Sequence, residues 1–198
     1  MRCVMELLKS LNESFSKSKR EIIVLDYDEN MAKKIEHIYK IDANTLLGTI
    51  LYKTGGIIFD NWVRVLGAGE RDVITCNELL KISDKFIVAE DILGGLFAIN
   101  NDNYIWYFAP DSLEWENLEI FYSQFIQWLI DGDVDKFYEI FRWDNWKEEI
   151  RHLGLSDGIA FYPFLWAKCD SILKRSRKII PMDEIVKLQF DFKKEFNF

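Results

Sequence analysis

"DILGGLFAINNDNYIWYFAPD", running from Asp91 to Asp111, decides the reading of the fold. Leu96 to Asn100 and Tyr104 to Phe108 are expected as two strands of a hairpin. Tyr104, Trp106 and Phe108 alternate with Ile105 and Tyr107, as the two faces of a strand require. The intervening "NNDN", Asn100 to Asn103, is turn chemistry, because Asn and Asp tolerate left-handed backbone and bond their own chain. Gly94-Gly95 at the entrance marks a bulge or a close approach to bare backbone. A Trp ring laid over the glycines is the structural expectation, and a ligand against the exposed backbone is the functional one.

Working outward from the hairpin, Phe86 to Ala89 reads as a further strand. Ile57 to Leu66 reads as strand interrupted by a turn near Asp60-Asn61, and Ile22 to Leu25 as a strand or extended link. Helical spacing appears toward both ends. Val4, Leu7, Leu8, Leu11 and Phe15 share one helical face. Asn30 is placed as the N-cap of a helix through Tyr39, with Ile35, Ile38 and Tyr39 inward, and Asn44 as the cap of a short helix ended by Gly55-Gly56. After Glu116 the stripe Leu118, Phe121, Tyr122, Phe125, Leu129 predicts a helix closed by Gly132. Asp133 then caps a helix burying Val134, Phe137 and Phe141, Asp144 opens another turn or two through Ile150, and Pro181 begins a last helix with Ile185, Leu188, Phe192 and Phe196 inward. Strands in the middle and helices at the ends make one α+β domain over residues 1–198, with a central, mostly antiparallel or mixed sheet. Residues 1–43 form its helical N-terminal part.

Composition bounds the function. The 198 residues carry 49% hydrophobic and 15% aromatic side chains, enough for a substantial core. With 33 Asp and Glu against 25 Lys and Arg, the net charge is −8, which disfavours nucleic acid and steers a basic protein partner toward the chain. No apolar run spans a bilayer, and "MRCVMELLKSLNESF" reads as an amphipathic helix, not a secretory signal, so the expected location is the cytoplasm without membrane attachment. Cys3, Cys76 and Cys169 are odd in number and far apart, and read as structural thiols.

Catalytic signatures are weak. His37 and His152 read as surface imidazoles, there is no G-x-S-x-G turn, and "GAGERD" (Gly67 to Asp72) lacks a phosphate-loop pattern and reads as the turn between a strand and the next helix. No cofactor or metal site is expected, the Asx-rich turn being needed by the hairpin itself. Glu90, Asp91, Asp111, Glu114 and Glu116 flank the hairpin. If Asp91 and Asp111 end neighbouring strands they lie near the same sheet edge, where two carboxylates could divide acid and base roles. Solvated or capping carboxylates are the simpler alternative. Trp128, Trp143 and Trp146, with Arg142, are either core or an aromatic recognition patch. The basic run "LKRSRK" (Leu173 to Lys178) is expected as a solvated loop.

Five strings, "GTILYKTGGIIFDNWVRVLGAG", "VAEDILGGLFAIN", "YFAPDSLEWENL", "FYEIFRWDNW" and "YPFLWAK", resemble a bacterial family catalogued as a domain of unknown function, number 2625. The resemblance covers residues 44–198 and not the first forty or so. More distantly, the order of helices, glycine pair, hairpin and C-terminal helices is similar to the SUKH superfamily of Smi/Knr-like domains. That similarity implies a mixed sheet, a partner-binding groove, no catalytic residues, and a role of the kind played by immunity proteins that neutralise toxins. Together these readings give a non-enzymatic protein-interaction module. Its expected recognition surface comprises Asp91, Gly94, Gly95, Asp111, Trp115, Glu116, Arg142, Trp143 and Trp146. A hydrolase using paired carboxylates near Asp91 and Asp111, and a small-ligand binding protein, stay open.

Overall fold

A computed structural model describes the backbone over residues 2–196 and the side chains over residues 4–195. The Cys3 thiol and the Phe196 ring therefore lie outside the described residues. Seven antiparallel strands form a meander in sequence order: β1 (Ile22–Val24), β2 (Gly56–Phe59), β3 (Val63–Leu66), β4 (Lys85–Asp91), β5 (Leu96–Asn100), β6 (Tyr104–Ala109) and β7 (Glu114–Phe121). A separate hairpin pairs β8 (Asp157–Tyr162) with β9 (Ser176–Pro181). With helices packed around the sheet, the architecture is α+β.

The side chains of alternate strand residues build two cores, one on each face of the sheet. On the first face Ile57, Phe59, Val65, Phe97, Ile105 and Tyr107 meet α5 (Tyr122–Asp131) and the segment around Tyr138. On the second, Leu66, Ile87, Leu96, Ala98 and Phe108 meet α2 (Glu29–Tyr39), α4 (Val73–Leu80) and α8 (Met182–Phe196). The helix α3 (Leu46–Lys53) serves both, with Ile50 in the first core and Leu51 in the second. The first helix, α1 (Arg2–Lys17), adds Leu11 and sets Phe15 edge-on to Phe59.

Local signals place most elements. Asp60 and Asn61 both have positive φ, 51° and 52°, which closes the β2–β3 hairpin as a tight turn. Asp72 caps α4 by accepting the N–H groups of Ile74 and Thr75, so "GAGERD" is the strand-to-helix turn. The caps of α2 and α3 sit one or two residues from the expected ones, at Asp28 and Thr45 instead of Asn30 and Asn44. Ile38 is 44% exposed, not inward. Asn145, with a left-handed backbone, precedes α7 (Trp146–Ile150) in place of Asp144.

Two regions depart more strongly. Leu118 and Phe121 belong to strand β7 and not to a helix, because residues 114–121 find backbone partners along β6. Helix α5 begins only at Tyr122, where the Gln124 side chain accepts the N–H of Phe121. Helical spacing in the sequence is outweighed here by a ladder of long-range hydrogen bonds. The basic run is not a solvated loop either. Ser176 to Pro181 is strand β9, and the last helix starts at Met182. Arg175 donates to the carbonyls of Pro163, Phe164, Leu165 and Ala167, wrapping the preceding loop around its guanidinium. Among the described residues, no helix is long and apolar enough to cross a membrane.

Candidate functional site

The turns β2–β3, β4–β5 and β6–β7 lie at one end of the sheet, since Val63 pairs with Asp91 and Leu96 with Phe108. Glu90 and Asp91, the last residues of β4, are each 0% exposed. As neighbours in a strand they point to opposite faces.

Glu90 projects into the second core. Its carboxylate receives Nε and Nη2 of Arg71 at 2.8 and 2.9 Å, a bidentate pair, and Arg64 Nη1 stands 3.8 Å away. Arg71 also donates to Asp183 at the start of α8, at 2.6 Å. Arg64 reaches across to the carbonyls of Gly154, Leu155 and Asp157. Burial alone would lower the Arg71 pKa, but Glu90 and then Asp183 more than reverse that and hold it charged. For Arg64 burial prevails and lowers the pKa despite Glu90. The cluster joins β3, β4, the loop before α4, α8 and the loop before β8.

Asp91 projects into the first core and, among the described residues, meets no cation at bonding distance. One carboxylate oxygen accepts the N–H groups of Leu93 and Gly95 at 2.9 and 3.0 Å. The other accepts the hydroxyls of Tyr107 and Tyr138 at 2.8 and 3.0 Å. Burial raises its pKa, and the four donors only partly offset that. Burial, together with the carboxylate, pushes both tyrosines well above their ordinary values.

This clasp explains the glycine pair. A β-carbon on Gly95 would strike the Asp91 carboxylate and the Tyr107 ring and hydroxyl. Gly94 has φ of +85° and would press a β-carbon against Ile185 and Gln189 of α8 at 2.7 Å. The expectation of a Trp ring over the glycines is thus corrected: an aspartate, a tyrosine and α8 occupy that space. The irregular pairing of β4 with β5 falls instead between Ile87 and Ala89.

Arg142 and Trp146 form a second constellation, with Trp62 from the β2–β3 turn. The guanidinium carbon lies 3.7 Å from the Trp146 ring centre and 4.5 Å from that of Trp62, and Arg142 pairs with Asp135 at 3.2 Å. Trp143 is 3% exposed and packs on Trp62 and Phe161. The indole N–H groups of Trp62 and Trp143, with Nε and Nη2 of Arg142, are buried without an acceptor among the described residues.

The nine expected site residues therefore do not gather into one surface. Asp91, Gly94, Gly95 and Trp143 are interior, Arg142 and Trp146 are half-buried on the first face, and Trp115 is half-buried on the second, against Phe108. Asp111 and Glu116 are exposed. Asp91 and Asp111 do share an end of the sheet, but one is enclosed and the other meets solvent, so they do not form an open carboxylate pair. What remains at the surface is an acidic rim. Glu114, Glu116 and Glu119 are exposed along β7, an outer strand of the sheet that among the described residues pairs only with β6, with Asp111 in the turn before it. On the other face of β7 the Lys85 ammonium lies 4.8 Å from the Trp106 ring centre and 5.4 Å from that of Trp115.

Sequence reasoning missed Arg64, Arg71, Tyr107, Tyr138 and Trp62 as members of these clusters. The usable signal was the charge of Arg64 inside the otherwise apolar "WVRVL", since a cation on a buried strand requires a partner. A cavity of about 20 Å³ between β8 and α8, lined by Leu93, Phe161, Trp166 and Gln189, is too small for a metabolite. An open groove of about 420 Å³ beside Arg20, Asp60, Gly132 and Lys147 presents charges of both signs.

The sequence is 32% identical over 186 residues to "Putative uncharacterized protein YbfG" of Escherichia coli (strain K12), covering 87% of this chain and 85% of that protein. It is 28% identical over 173 residues to an "Uncharacterized protein" of Haemophilus influenzae, covering 79% of this chain and 76% of that one. The family model described as "Protein of unknown function DUF2625" matches residues 5–185, so the N-terminal forty residues also share in the likeness. The chain belongs to the family "Protein of unknown function DUF2625".

Proposed function

We propose that this chain is a non-enzymatic protein-interaction module that receives a basic partner on the acidic rim of the sheet. The residues assigned to recognition are Asp111, Trp115 and Glu116, joined by Glu114 and Glu119. One observation carries the reading: a full-length outer strand has exposed carboxylates at Glu114, Glu116 and Glu119 around a half-buried tryptophan. Carboxylates on an open strand repel acidic chains and favour a partner that brings Lys or Arg, which is selection by charge. Trp115, on the opposite face of β7 from Glu114 and Glu116, supplies apolar area beside the rim. In its narrower form, drawn from the Smi/Knr-like resemblance alone, the partner is a basic toxin domain.

The test is capture from lysate of the source organism by tagged wild-type protein and by a Glu116→Lys, Glu119→Lys variant, with mass-spectrometric identification. A basic protein retained at low salt by the wild type, lost in the variant and released as ionic strength rises is the expected result. Equal capture by both proteins would remove these residues from the recognition surface.

A further inference from the structure

The other outer strand is built differently. Ile22-Ile23-Val24 holds no charge, no proline and no bulge, and Ile23 and Val24 are each 43% exposed. Natural sheets usually protect such an edge with one of those devices. On its inner side the strand is fully engaged: the Asp60 N–H donates to the Glu21 carbonyl, the Leu25 N–H to Gly56, and the Gly55 N–H to the Leu25 carbonyl. Backbone groups alternate sides along a strand. Glu21 and Leu25 therefore bond inward, as does Ile23, while Ile22 and Val24 turn their N–H and C=O groups outward. Among the described residues β1 pairs only with β2.

We propose that β1 is a self-pairing edge through which two copies of this chain associate about a twofold axis at Ile23. In an antiparallel arrangement centred there, Ile22 of each copy faces Val24 of the other, and the two exchange both backbone hydrogen bonds. Ile23 meets its own counterpart at a non-hydrogen-bonded position, where side chains lie closest. The occupant is a second copy and not a foreign strand because the flanks are self-complementary in charge. Lys17, Lys19, Arg20 and Glu21 precede the strand as a net positive end, Asp26, Asp28 and Glu29 follow it, and all but the half-buried Arg20 are exposed. Antiparallel pairing brings the basic end of one copy alongside the acidic end of the other, with Arg20 opposite Asp26, twice per dimer. The contact is isologous and closes at two copies. The rim at β7 disfavours the same arrangement, since a copy centred on Trp115 would oppose Glu114 to Glu116.

Light scattering on the full chain, at concentrations up to about 100 μM, is the first readout, because a micromolar or tighter dissociation constant populates the dimer there. The expected mass is twice the 23.5 kDa of one chain. Ile23→Lys, which sets two ammonium groups against each other, should return the protein to a single-chain mass with an unchanged circular dichroism spectrum. Ile179→Lys, at a position 51% exposed on β9, should leave the dimer intact. Ile23→Cys, with Cys3 and Cys169 changed to serine, should give a disulfide-linked dimer on mild oxidation, since directly opposed residues there have Cα atoms about 4.5 Å apart. A wild-type chain that stays at the single-chain mass overturns the proposal. So does a dimer that persists in Ile23→Lys.

Discussion

Glu90 and Asp91 are neighbours in one strand, equally buried, and stabilised in opposite ways. Glu90 is paired with charge: Arg71 holds it bidentately and Arg64 stands close by. Asp91 has four donors and no cation among them. The first arrangement joins elements far apart in sequence, so removing its centre leaves Arg71 with only Asp183 and Arg64 with only neutral carbonyls to compensate buried charge. The second closes a turn, and its failure leaves neutral groups unsatisfied. Buried carboxylates are therefore not one class, and what matters is which partner shares the burial.

The comparison is most exposed at Glu90. Glu90→Ala should cost roughly 3–5 kcal/mol, the range for breaking a buried ion pair, and lower Tm on the order of 10 °C. Asp91→Ala should cost less, about 2–4 kcal/mol, since it orphans two hydroxyls and two N–H groups. Urea unfolding of the two variants ranks them, and the reverse order would break the contrast between charged and neutral partners.

A subtler effect separates the pair by pH. The folded pKa of Asp91 is raised above its unfolded value. Below the unfolded pKa, about 4, both states hold the proton and burial carries no ionic penalty. As pH rises from there, the unfolded chain ionises first, so the contribution of Asp91 to stability falls until the raised folded pKa is passed. Asp91→Asn should abolish that decline: its oxygen can still accept the backbone N–H groups, and its amide can donate to the tyrosine hydroxyls. Unfolding free energies from pH 4 to pH 7 should diverge in the variant's favour. Parallel curves would mean that Asp91 keeps an ordinary pKa.

Smaller again is Gly95→Ala, expected to cost about 1–3 kcal/mol through the clash with Asp91 and Tyr107. Placed in the Asp91→Ala background it should cost less, because the carboxylate it strikes is gone. Asp111→Asn, at the same end of the sheet but in solvent, should change stability by no more than about 0.5 kcal/mol.

Much of this was legible in the chain itself. The "NNDN" turn and its flanking alternation predicted β5 and β6, and Asp60-Asn61 predicted the hairpin between β2 and β3. Each was legible because its cause lies within a few residues. The recognition residues were legible only in part. Asp111 and Glu116 are exposed, as expected of rim carboxylates, while Asp91 and Trp143 went inside. The only local difference is the glycine pair after Asp91, whose turn supplies two N–H donors. What encloses Asp91 is distant: Tyr107 and Tyr138, 16 and 47 residues further along, come to meet it and not Asp111.

By itself the sequence determined an α+β chain with a central antiparallel hairpin, helices toward both ends and an excess of negative charge. Those follow from periodicity, turn chemistry and composition, which act over short range or over the whole chain at once. Only the tertiary structure decided that residues 114–121 pair as a strand, that the basic run becomes β9, and that adjacent carboxylates serve opposite cores. Backbone pairing and burial depend on segments distant in sequence, and a residue's neighbours along the chain carry little information about its neighbours in space.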